Sequence, residues 1–131
     1  MIRHYKAGDL ERINRQERQL LEGDGKEFDN MDTVVFEYDG KVMAMMRPIF
    51  YGEGCILAAL ISKDSKPYAV KLFKEGKRFI EGMKDICEFI EMSTQVGWLE
   101  AERLAGALGF EPDRLMKNFY NGMDFNIWRL K

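Results

Sequence analysis

The stretch "TVVFEYDGKVMAMMRPIFYG", residues 33–52, limits the possible folds more than any other part of the chain. Two strand-like runs flank Asp39-Gly40, a dipeptide that favours the tight two-residue turn of a β-hairpin. Val34, Phe36 and Tyr38 alternate with Val35 and Glu37, which is the period of a half-buried strand. The chain must therefore build an antiparallel pair around this turn. Pro48 has no amide donor, which predicts a bulge or an edge in the second run. Met43 and Met45 fall on one side of that run and Met46 on the other. Core filling is their default role, although methionine also adapts to irregular partners.

The remaining elements follow from periodicity and breakers. Residues 2–5 form a short strand with His4, the single histidine, at a sheet edge. Asp9 reads as the N-cap of a helix carrying Leu10, Ile13, Glu17, Leu20 and Leu21, which the glycines of "EGDGKEF" end. "CILAALIS", residues 55–62, is an apolar strand covered on both faces. A helix over 65–84 follows, with Ser65 as cap and Pro67 in its first turn. Its apolar stripe is Val70, Phe73, Phe79, Ile80 and Met83. "ICEFIEMS", residues 86–93, is another strand, and "GWLEAERLAGALGF" is a helix ended by Gly109. Strands over 114–120 and 123–130 flank Asn121-Gly122, a second hairpin turn. This order predicts a single α/β domain over residues 1–131, with helices on both faces of the sheet. The β-α-β unit from Cys55 to Ser93 should be a parallel, right-handed crossover.

Composition narrows the function classes. The chain is 46% hydrophobic and 32% charged, so it can bury a core and is not a disordered sequence. A net charge of −2 argues against a nucleic-acid partner, which usually requires a basic excess. The basic run "KLFKEGKR", residues 71–78, reads as the solvated face of a helix. Cys55 and Cys87 fit no metal-ligand spacing and are expected as buried, reduced thiols in apolar strands. No apolar run approaches the ~20 residues of a membrane span. The N-terminus is polar and charged from Arg3 onward, unlike a signal peptide, which predicts a cytoplasmic location.

Three phrases carry a family resemblance. "IRHYKAGDLERI" looks like the first strand and helix of the GNAT acyltransferases, the Gcn5-related N-acetyltransferases. "VVFEYDGKVMAMM" is similar to their second and third strands, and "AERLAGALGF" to their late helix, often written A-x-x-L-Y-x-x-x-G-F. The resemblance covers essentially the whole chain and implies a mixed central sheet of about six to seven strands.

It also implies a site. In that family the junction matching Ile61–Tyr68 carries Q/R-x-x-G-x-G/A, whose glycines and amides grip the pyrophosphate of acetyl-CoA. Here the loop reads "SKDSKPYA" and contains no glycine. Pro67 removes a donor, and Asp64 places negative charge where phosphates would arrive. Ala105 stands where many members have a tyrosine acid, and Trp98 where many have an asparagine. The length and the weak loop also resemble the GNAT-like virion components of short-tailed bacteriophages.

Two readings follow. In one, the chain is a GNAT-fold protein with a degenerate acetyl-CoA loop and a binding or structural role, phage-derived and virion-located if the second resemblance holds. Its partner is then another protein; a homodimer through the aromatic terminal hairpin, around Phe119–Trp128, fits this reading and the next alike. In the other, it is an atypical acetyl-CoA-dependent N-acyltransferase in which an amine attacks directly. That reading assigns cofactor contacts to Leu60, Ser62, Lys63, Ser65, Lys66 and Tyr68, with an exposed strand edge near Ala59 and Leu60 pairing with the pantetheine arm. Glu91 or Glu37 would act through water as base, and Tyr120 as a substitute acid, each set against a plain role as an outward-facing or surface residue.

Overall fold

The computed structural model describes residues 1–130. The strands are β1 (Ile2–His4), β2 (Val34–Tyr38), β3 (Lys41–Tyr51), β4 (Gly54–Ile61), β5 (Ile90–Gln95), β6 (Phe110–Tyr120) and β7 (Met123–Leu130). The helices are α1 (Asp9–Arg12), α2 (Glu17–Leu20), α3 (Ala69–Met83) and α4 (Leu99–Ala107). The seven strands form one mixed sheet in the order β1-β2-β3-β4-β5-β7-β6. As expected, β4 and β5 are parallel neighbours across the α3 crossover, whereas β2–β3 and β6–β7 are antiparallel hairpins. Contacts divide the chain into two compact units, Met1–Pro48 with Ala59–Gly76, and Ile49–Ala58 with Lys77–Lys131.

The first unit is built on the Asp39-Gly40 hairpin. Both turn residues take positive φ, 53° and 74°, as a tight hairpin turn requires. Val35 and Phe36 are both buried, so β2 is covered on two faces rather than half-exposed, and the ladder shifts between Phe36 and Glu37. Phe36, Tyr38, Met43 and Ala44 form a core against which Val34, Met46, Ile61, Tyr68 and Leu72 pack. The methionines thus fill the interior. Pairing of β3 with β2 ends at Val34↔Met46, so the missing donor of Pro48 falls beyond that ladder.

The N-terminal helix is not continuous. It splits into α1 and α2, and Arg15 between them forms an isolated bridge with Ser62. Leu20 and Leu21 are exposed instead of facing a core. Gly8 occupies the N-cap, and Asp9 is the first helical residue. Its carboxylate accepts from Arg3 and from the Lys6 amide, because a buried charge takes its strongest donors. His4 is exposed on the edge strand.

In the second unit, Ile80 and Met83 of α3 are buried as the stripe predicts. Val70, near the start of that helix, is 71% exposed and lies off the stripe. Strand β5 begins at Ile90, four residues later than the apolar run suggests. Ile86 is exposed, and Cys87 lies in the turn after α3, where its amide still donates to the Met83 carbonyl. Cys55 does lie in a strand, β4, and both thiols are free and buried. Strand β6 begins at Phe110 rather than Arg114, because Gly109 (φ 98°) ends α4 and turns directly into it. Phe125 and Trp128 are buried, the latter donating from its indole to Thr94 Oγ1 at 2.9 Å.

Candidate functional site

The site predicted from the loop starts at the end of β4. A strand points the backbone groups of alternate residues to opposite edges. The Cys55 amide donates to Phe89, and β4 pairs with β5 only through Cys55–Leu57. Along the same edge, Ala59 and Ile61 come next. Their backbone groups are not open. The Gln19 carboxamide donates to the Ala59 carbonyl at 2.9 Å and accepts from the Ile61 amide at 3.0 Å. Gln16 donates to the Ile61 carbonyl at 3.1 Å, and the Lys63 amide donates to the Asn14 carbonyl at 2.9 Å. The expected exposed edge is therefore corrected: the chain's own segment 14–19 covers it. Leu60, assigned to that edge, is buried and of the opposite parity, the parity by which the Ser62 amide reaches Met43 of β3.

The loop itself turns its donors inward. The Ser62 amide donates to Met43, Lys63 to Asn14, Ser65 to the Ser62 carbonyl and Tyr68 to the Ser65 carbonyl. The Asp64 amide donates to Ser62 Oγ at 3.0 Å. Pro67 has no donor. A short 3-10 turn over Lys66–Tyr68 then leads into α3. Tyr68 stacks on Tyr38 with ring centres 5.5 Å apart, and its hydroxyl donates to Asp39 at 2.7 Å. Asp64 accepts from Asn14 Nδ2 at 3.0 Å. Lys63 and Lys66 are exposed and Ser62 is fully buried. Among the six cofactor candidates, the amides of Ser62, Lys63, Ser65 and Tyr68 are each bonded to a carbonyl of the chain.

Of the proposed catalytic residues, Glu91 and Tyr120 lie in the second unit and Glu37 in the first. Glu91 is not an outward-facing strand residue; its side chain is fully buried. Arg114 donates to both its oxygens at 2.8 and 3.1 Å, Arg129 donates to Oε2 at 2.9 and 3.2 Å, and the Tyr51 hydroxyl donates to Oε1. Burial by itself would raise this carboxyl, but the hydrogen bonds from Arg114, Tyr51 and Arg129 prevail and hold it at about 2. A carboxylate so fully engaged is a poor base for an amine. Tyr120 ends β6 opposite Met123, with a side chain 41% exposed. Ala105 is fully buried in α4 and carries no proton to donate. Glu37 binds Arg3 and, with Arg12, joins an ion-pair network around Asp9.

Reading the sequence missed Asn14, Gln16 and Gln19, and the partners of Glu91. The amide-rich run "NRQERQ", residues 14–19, was the available signal. Two glutamines and an asparagine within six residues carry the donors and acceptors that an unpaired strand edge needs.

The parallel β4–β5 pair stops at Leu57, flanked by a meander and a terminal hairpin in one mixed α/β sheet. No family model matches the sequence, and no curated protein matches it. Solved structures do match in shape. Ard1 from Thermoplasma volcanium superposes with a TM-score of 0.71 at 15% identity, over 100% of this chain and 97% of that one. A GNAT-family acetyltransferase from Bacillus anthracis gives 0.74 at 15% identity, over 98% and 92%. The ribosomal-protein-S18-alanine N-acetyltransferase from Escherichia coli gives 0.65 at 14% identity, over 99% and 92%. The chain has the GNAT fold from end to end. Identities this low establish the fold and leave the chemistry to the residues themselves. No helix among the described residues is long and apolar enough to cross a membrane.

Proposed function

We propose that this chain is a GNAT-fold protein that has kept the acetyltransferase scaffold without its pyrophosphate grip, and that it serves as a binding or structural component. The observation that carries this reading is the loop after β4. Of the seven positions from Ser62 to Tyr68, five have amides hydrogen-bonded within the chain and a sixth is proline. A diphosphate arriving there would have to break those bonds before gaining any of its own. Ala105 and the clamped Glu91 support the same reading, since neither can serve as the acid or base of an acyl transfer. The likeness to virion components of short-tailed phages belongs with this proposal, because such a component needs the scaffold and not the reaction.

The fold shared with N-acetyltransferases supports a second reading, an acetyl-CoA-dependent N-acetyltransferase in which a bound amine attacks the thioester directly. Titration calorimetry with acetyl-CoA separates the two. The first reading expects no heat and no thermal shift at millimolar acetyl-CoA. Micromolar binding that weakens in Lys66→Glu would overturn it in favour of the enzyme.

A further inference from the structure

We infer that the free edge of β6 is an interface between two copies of this chain, paired antiparallel about a two-fold axis at Leu115. This surface makes no use of the loop after β4 and does not depend on what that loop binds.

Strand β6 ends the sheet and, among the described residues, pairs only with β7. Of its eleven residues only Phe110 is buried and only Met116 half-buried. The other end of the sheet is β1, three residues long. A long edge presents backbone donors and acceptors that a second strand can take. The large aromatics of β7 do not form this surface, because Phe125 and Trp128 are buried. Leu115 does, being 51% exposed at the middle of β6.

The strand limits where a partner can add. Pro112 has no amide donor, and the ladder to β7 shifts between Pro112 and Arg114. It shifts again between Met116 and Tyr120, where Asn118 takes φ 51° and its amide donates to Asp124 Oδ1 at 3.0 Å. The regular run between these irregularities is Arg114–Met116. Prolines and bulges block open-ended stacking of edges, whereas a two-fold pair over a short run closes on itself.

Parity and charge then set the register. Opposed antiparallel residues either exchange both backbone hydrogen bonds or exchange none, so a two-fold pair is centred on a residue and not between two. Three centres fall in the regular run. Centring on Arg114 sets one guanidinium against its own copy. Centring on Met116 sets Leu115 against the partner's Lys117. Centring on Leu115 packs it on the partner's Leu115 and sets Asp113 against the partner's Lys117, once on each side of the axis. Opposite charges facing across strands stabilise a pair, and like charges oppose it. Both groups are available. Asp113 gives Oδ2 to Arg114 at 2.7 Å and keeps its other oxygen, and Lys117 is exposed with no ion pair among the described residues.

Sedimentation equilibrium of the intact chain, from micromolar to millimolar concentration, is the test. The wild type should show a monomer–dimer equilibrium, and a monomer throughout would overturn the interface. Asp113→Lys and Lys117→Asp should each weaken the dimer at least about tenfold, because each turns both cross-strand pairs into like-charge pairs. Both positions are exposed, so thermal melts of the dilute variants should match the wild type and exclude misfolding as the cause. The double variant Asp113→Lys/Lys117→Asp restores both pairs and should dimerise as the wild type does. An equimolar mixture of the two single variants should form a heterodimer for the same reason. A dimer of unchanged strength in both single variants would place the contact elsewhere and overturn the proposal. So would a double variant that fails to recover.

Discussion

Arg3 clamps Asp9 through two parallel hydrogen bonds, Nη1 and Nη2 each reaching one carboxylate oxygen at 2.8 Å. Asp9 is fully buried, and the Arg3 bond, opposed by desolvation and aided by the Lys6 amide, holds its carboxyl below the usual range. Arg3→Leu leaves that buried charge without its main partner. It should lower the unfolding free energy by about 3–5 kcal/mol in urea titration, whereas Arg3→Lys, which cannot bridge both oxygens, should fall between. A loss below about 1 kcal/mol for Arg3→Leu would show that Asp9 protonates or rehydrates instead.

Acid stability should depend on Glu91. Its folded carboxyl titrates at about 2 against an ordinary 4.5. The Arg114–Glu91–Arg129 cluster therefore stabilises the fold fully above the ordinary value, and the contribution disappears as pH falls toward 2. That shift corresponds to about 3 kcal/mol. Glu91→Gln should be less stable at neutral pH and should lose less stability between neutral and acid pH than the wild type. Parallel denaturation curves for the two proteins at every pH would contradict the assignment.

The thiols should be inert while the chain is folded. Burial and the neighbouring Cys87 sulfur push the Cys55 thiol up to about 12. Almost no Cys55 thiolate exists near neutrality, and thiolate is the reactive form, while Cys87 is shielded by its burial. Ellman's reagent should report almost no thiol in the native protein and two after unfolding in urea. Prompt reaction of either thiol in the native state would show that the turn around Cys87 opens.

Gly54 is a packing glycine. A Cβ there would lie 2.4 Å from the Phe89 carbonyl oxygen and 2.5 Å from its ring. Gly54→Ala must displace backbone at the start of the β4–β5 pairing. It should destabilise the fold by about 1–3 kcal/mol or more. Gly76→Ala in α3, whose Cβ meets nothing within 4 Å, should be neutral or slightly stabilising in the same thermal melt.

What was legible in the sequence is what local chemistry decides. Asp39-Gly40 and Asn121-Gly122 signal their turns through residues that accept positive φ, and Gly109 signals its helix end the same way. The α3 crossover follows from one long amphipathic run between apolar strands. Partners distant in sequence were not legible. The first helix breaks because Gln16 and Gln19 bond to β4 residues 40 to 45 positions away. Strand β5 starts at Ile90, where its register with Cys55 begins, while the Cys87 amide before it is still tied back to Met83 at the end of α3. Glu91 reads as a surface base until Arg114 and Arg129, 23 and 38 residues away, fold over it. Alternation shows which way a side chain points, not which distant groups meet it.

Ser62 ends β4 with all its polar groups engaged: its amide on Met43, its hydroxyl on Asp64 and its carbonyl on Ser65. Glycine at Ser62 would release the Asp64 amide and no other donor of the loop, and glycine at Pro67 would restore a single donor. Neither frees the Lys63 amide, which Asn14 holds from another part of the chain. Opening this loop thus takes changes in two separate parts of the chain, because its amides are held partly from within and partly by Asn14.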